Sequence, residues 1–113
     1  QNEFFKMGEH MIEEAKNTGS ESALEGLSHA LDWLRQNNAA ELVTVIWFSH
    51  LSRRPRICFH ELATMRRLLP GVPASVELRD RHERWIAISD GIEFEASAYY
   101  SEPRQAVCRS EVL

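Results

Sequence analysis

Residues 75–100 read SVELRDRHERWIAISDGIEFEASAYY, and the way this stretch pairs with itself decides the fold. Val76 and Leu78 alternate with Ser75, Glu77 and Arg79. Ile86 and Ile88 alternate with Trp85 and Ala87. Ile92, Phe94, Ala96, Ala98 and Tyr100 alternate with Glu93, Glu95, Ser97 and Tyr99. A period of two residues is the signature of β-strands with one buried face. The pattern therefore predicts a three-stranded C-terminal meander.

Register follows from which residues must share a face. A two-residue Asp90-Gly91 turn would set Ile88 opposite Glu93 and Ile86 opposite Glu95, mixing apolar and acidic side chains. A three-residue Ser89-Asp90-Gly91 loop sets Ile88 opposite Ile92 and Ile86 opposite Phe94. Burial of one face specifies register, so the second pairing is expected. The same logic sets Leu78 opposite Ile86 across an Arg81-His82-Glu83 loop. The outer face would then carry Glu77, Arg79, Trp85, Ala87, Glu93, Glu95, Ser97 and Tyr99.

Upstream, Phe4, Met7, Gly8, Met11, Ile12 and Ala15 form one stripe of a helix. Asn17-Thr18-Gly19-Ser20 breaks it. Thr18 with Glu21, and Ser22 with Glu25, match the capping box. The stripe that follows is Ala23, Leu24, Leu27, Ala30, Leu31 and Leu34, ending near Asn37-Asn38. Two such helices suggest an antiparallel pair. Residues 41–48, ELVTVIWF, are β-branched and aromatic on both faces, which predicts a central strand. Ser49 to Pro55 reads as a loop. Residues 56–69 have either helical spacing throughout or a short strand before a shorter helix, and Pro70-Gly71 ends them. The tail, residues 101–113, has no clear period and is expected to be irregular.

The chain of 113 residues, 43% hydrophobic and 27% charged, has the size and composition of one globular domain spanning 1–113. Its net charge is −4, and only the central third is positive, which argues against a nucleic-acid partner. No apolar run is long enough to span a membrane and no signal-peptide pattern opens the chain. Two widely spaced cysteines form no disulfide framework. A cytoplasmic protein is expected.

A search for chemistry returns little. His10, His29, His50, His60 and His82 show no metal-ligand spacing, and no metal or cofactor is expected. Neither Cys58 nor Cys108 sits in a context that would activate a thiol. No phosphate-cradling glycine loop and no carboxylate pair poised for acid–base work is visible. Trp33 and Trp47, in regular elements, are expected in the core. Arg53-Arg54-Pro55-Arg56 is the one basic cluster; it reads as a solvated loop or as an anion site.

The expected architecture is α+β: two N-terminal helices on an antiparallel sheet of about four strands. The expected function is non-enzymatic, that of a small accessory protein of bacterial type. It would bind a protein partner, or itself as a homodimer, through Glu77, Arg79, Trp85, Glu93, Glu95 and Tyr99. On the bland reading, Arg79 only shields Trp85. The alternative function is a small-molecule protein or small enzyme, with an anionic ligand held by Arg53, Arg54 and Arg56 in a pocket between helices and sheet.

Overall fold

The computed structural model describes residues 22–113; the expected first helix lies outside them. Helix α1 spans Ala23–Gln36, and the Ser22 hydroxyl accepts a 3.2 Å hydrogen bond from the Glu25 amide. That bond satisfies a helix donor with no partner inside the helix. A 3-10 turn, Ala40–Leu42, leads into strand β1, Val43–Ser49. Strand β2 is Arg54–Phe59, helix α2 is Leu62–Leu68, β3 is Pro73–Ser89 and β4 is Ile92–Val112. Residues 56–69 thus take the strand-then-short-helix alternative.

The architecture is α+β, with two helices among the described residues and a four-stranded sheet in the order β1-β2-β4-β3. The sheet is mixed rather than antiparallel. β1 pairs β2 and β3 pairs β4 antiparallel, but β2 runs parallel to β4. Between β2 and β4 the chain travels through α2 and β3, the kind of long crossover that a parallel pair requires. β1 lies at the end of the strand order and not at its centre, and its Val45 and Trp47 are exposed.

The turn between β3 and β4 is the two-residue one. Ser89 pairs with Ile92, Ile88 with Glu93 and Ile86 with Glu95. Asp90 and Gly91 have φ of 53° and 73°, the left-handed pair that a tight hairpin turn of this type demands. The expected three-residue loop is therefore wrong, and so is the sorting of side chains built on it. Trp85, Ala87, Phe94 and Ala96 enter the core; Ile86, Ile88, Glu93 and Glu95 take the opposite face. The physical reason lies in the neighbouring strand. Acidic residues on that face find arginines from β2 beside them, so they can sit next to isoleucine away from open water.

β3 and β4 are each longer than the expected meander strands, and the expected irregular tail is part of β4, paired with residues 73–80. β3 does not run straight. A straight strand would hold residues 77 and 84 about 23 Å apart, yet Arg84 donates to Glu77 at 2.8 Å. β3 therefore doubles back at Asp80, where φ is 58° and the pairing with β4 shifts register. The turn also reverses the parity of burial: Val76 and Leu78 before it, and Trp85 and Ala87 after it, are all buried. Beyond the fold-back, the amide of Leu113 donates to the Val72 carbonyl at 2.9 Å, and the Gly71 amide donates to the Leu113 carbonyl at 3.1 Å.

The core joins Ala30 and Leu34 of α1, Met65 of α2, Ile57 and Phe59 of β2, Trp85 and Ala87 of β3, and Ile92, Phe94 and Ala96 of β4. Trp33 stacks at a tilt on Phe94, 4.6 Å between ring centres. The buried face of α1 is Gly26, Ala30 and Leu34; Leu24 and Leu31, expected in the stripe, are exposed. Gly26 sets this rotation. A Cβ there would lie 2.8 Å from the Phe48 ring, so only glycine lets the helix approach the sheet this closely. His29 then reaches the Asp90 carbonyl at 2.7 Å and ties α1 to the hairpin turn.

Two stability outcomes follow. Gly26→Ala, which improves helix propensity by about 1 kcal/mol, should still lower the unfolding midpoint, because overpacking costs about 1–3 kcal/mol. Trp85→Ala should cost about 3–5 kcal/mol in denaturant unfolding, as for a core aromatic. A Trp85→Ala protein as stable as the parent would contradict its placement.

Candidate functional site

The face of the sheet away from the helices carries the chemistry. β2 sends Arg54, Arg56 and Cys58 to it, and β4 sends Glu93, Glu95 and Ser97, because alternate residues of each strand share a face. The parallel register sets Arg56 opposite Glu93 and Cys58 opposite Glu95. Arg56 donates through Nε and Nη2 to Glu93 Oε2 at 2.9 and 2.6 Å, and through Nη1 to Glu95 Oε1 at 3.0 Å. Arg54 approaches Glu93 at 3.6 Å. Arg84 lies 3.8 Å from Glu95 and 2.8 Å from Glu77. Three arginines and three glutamates thus neutralise one another in one connected lattice.

The lattice is partly withdrawn from solvent. The Glu93 side chain is 5% exposed and that of Arg56 is 16% exposed. Burial alone would raise the Glu93 pKa. The adjacent Ser52 hydroxyl and the charges of Arg56 and Arg54 outweigh it and hold the carboxylate below its ordinary value of 4.5. Cys58 shifts the other way: burial first, then the negative charge of Glu95, push the thiol up. Glu93 is held ionised and Cys58 is held protonated, so neither is tuned for proton transfer or nucleophilic attack at neutral pH.

Apolar residues flank the lattice. Two rows cross the sheet in register. One is Trp47, Arg56, Glu93 and Ile88; the other is Val45, Cys58, Glu95 and Ile86. Val45, Trp47 and Ile88 are 48%, 41% and 44% exposed, and Arg56 lies over the Trp47 ring at 5.0 Å. The open face is thus charged but neutral along its middle and apolar on both sides.

Of the residues expected in a contact surface, Glu93, Glu95 and Glu77 meet in this lattice. Arg79 and Tyr99 lie near one end of it; Tyr99 is 76% exposed and stacks on His82, 4.8 Å between ring centres. Trp85 does not join them. It is 3% exposed on the core side, with the guanidinium groups of Arg66 and Arg109 at 4.9 and 5.6 Å from its ring centre. Trp47, expected in the core, is on the open face instead. Of the basic cluster, Arg54 and Arg56 are engaged with glutamates and Arg53 lies over the Phe48 ring at 5.5 Å.

Chemistry-bearing residues elsewhere are dispersed. His29, His50, His60 and His82 go to Asp90, Phe48, Thr44 and Ser97 respectively. Among the described residues no group of three or more His, Cys, Asp or Glu side chains could hold a metal ion. No family model, curated protein or solved structure matches this chain.

Glu83 is a site that sequence reasoning passed over. It is buried on the core side, 4% exposed. Its carboxylate accepts from Trp85 Nε1 at 2.6 Å, the Tyr100 hydroxyl at 3.0 Å and Arg109 Nη2 at 3.2 Å. Burial raises its pKa, and these three donors more than reverse the effect, leaving it lowered. Two of the donors come from β4, so the cluster ties β3 to β4 on the core side, a structural role. Only the alternation Glu83-x-Trp85 on one strand face hinted at it.

Both Glu83 and Glu93 have folded-state pKa values below their unfolded ones. Their contribution to stability is complete above the unfolded value, near 4.5, and fades as pH falls through the lowered folded values. Unfolding free energy should therefore drop as pH is taken below about 4.5. Glu93→Gln should flatten part of that slope. Arg56→Ala, which strands a buried carboxylate, should cost about 3–5 kcal/mol at neutral pH.

Proposed function

We propose that this chain is a binding module rather than an enzyme, and that it engages a protein surface through the open face of its sheet. The observation that carries the reading is the pair of rows in which exposed apolar residues flank a self-neutralised arginine–glutamate lattice. Interface centres are poor in net charge and rich in aromatic side chains and arginine. This face has Trp47 and Arg56 stacked together, with Val45 and Ile88 to either side. A partner need not supply counter-charges, because each arginine of the lattice has its carboxylate within the chain. The lattice also fixes the side chains before contact, which lowers the ordering cost of association. Trp47 and Ile88 stand three strand spacings apart, about 14 Å, and so could grip two apolar side chains of a partner at once.

The reading is tested with Trp47→Ala combined with Ile88→Ala. Leu24→Glu, on the exposed side of α1, serves as the control. Partner retention, or self-association measured by sedimentation over a concentration series, should fall at least tenfold for the double variant, since interface anchors are each worth about 2 kcal/mol or more. The control should behave as the parent. The thermal midpoint should fall by only a few degrees, since both side chains are already half exposed. Equal association by the double variant and the parent would refute the reading.

A further inference from the structure

The fold-back of β3 creates a second feature, distinct from the apolar flanks. A shallow depression of about 360 Å³ opens there, lined by Glu77, Arg79, His82 and Arg84. All four lining residues carry polar or charged groups, and their charges do not cancel. Glu77 is taken by Arg84 at 2.8 Å, and Arg84 is shared with Glu95 at 3.8 Å. Arg79 is exposed and makes no ion pair among the described residues. Two arginines face one glutamate in the lining, which leaves at least one positive charge over.

Donors in this depression are also held in place. Arg84 is bound on two sides by carboxylates. The His82 ring is fixed by its Nε2 contact with the Ser97 hydroxyl at 2.8 Å and by the Tyr99 ring stacked on it. A guanidinium with no ion pair among the described residues, beside a second oriented guanidinium and an imidazole, is a donor set suited to a tetrahedral oxyanion. The outer face of Tyr99, 76% exposed, offers a flat platform at the rim.

We propose that this depression binds a phosphoryl group, with Arg79 as its principal cation and Arg84 and His82 as further donors. The phosphoryl group could be free phosphate or the phosphate of a nucleotide, and the Tyr99 platform separates the two. This site stands independently of the open-face reading, since it needs neither Trp47 nor Ile88.

The test is titration calorimetry of the full chain with inorganic phosphate and, separately, with adenosine monophosphate, at low ionic strength. Saturable binding is expected. Arg79→Ala should weaken it about tenfold or more, as for loss of a charge-assisted bidentate contact. Arg79→Lys, which keeps the charge but not the fork, should fall between. Arg35→Ala on α1 should leave binding unchanged. A nucleotide that binds more tightly than phosphate, with the advantage lost in Tyr99→Ala, assigns the site to a nucleotide. Equal binding assigns it to free phosphate. Absence of saturable binding by both probes would overturn the proposal, as would equal weakening by Arg79→Ala and Arg35→Ala. Because Arg79 is exposed, the thermal midpoint of its variants should match the parent, so that loss of binding is not loss of fold.

Discussion

The sheet is held together at one short seam. β1 and β2 form one antiparallel pair and β3 and β4 another. The two pairs meet only where β2 runs beside β4, over Arg56–Glu93, Ile57–Phe94 and Cys58–Glu95. On the core side the seam is apolar, with Ile57 and Phe94 both fully buried. On the open side it is ionic, with Arg56 bridging Glu93 and Glu95. A charge pair this withdrawn from water gains stability only when each lone pair and proton finds a partner. Arg54 and Arg84 help to supply them. The lattice is thus the joint between two hairpins as much as it is a surface.

That joint explains what the sequence made legible and what it hid. Helix α1 was readable because capping and periodicity are local, and Ser22 does what its position before Glu25 implies. The strand character of residues 75–100 was readable for the same reason. Register was not. Sorting by hydrophobicity assumes that glutamates seek water, which favours a three-residue loop. Asp90-Gly91 carried the opposite and correct signal, because both residues can take positive φ. The deciding fact was nonlocal: Arg54-x-Arg56 becomes the neighbour of Glu93-x-Glu95 only after β2 and β4 align in parallel. Alternating opposite charges in two strand-like segments were a usable hint of that alignment.

The misplacement of the tryptophans has the same origin. Once the register moves by one residue, Trp85 turns inward and Ile86 and Ile88 turn outward. Trp47 was assigned to the core because its strand is apolar on both faces, a pattern taken for a central strand. Here that pattern belongs to a strand at the end of the order. Its outer-face Trp47 is sheltered by Arg56 rather than by a second layer. The face that results, neutral at its middle and apolar at its flanks, is the feature on which the binding reading rests. Its residues come from all four strands, which is why no contiguous motif announced it.

The closing contacts at Leu113 bear on how the chain acquires its shape during synthesis. Pro73 pairs with Val112, and Leu113 exchanges backbone bonds with Gly71 and Val72. The first half of β3 therefore emerges from the ribosome well before its partner in β4 exists. Until then Val76 and Leu78, buried in the finished fold, lack the strand that pairs with them. Such late, long-range closure is slow by topology and exposes apolar surface meanwhile. A nascent chain of this design stays vulnerable from the synthesis of β3 until the second half of β4 has been made.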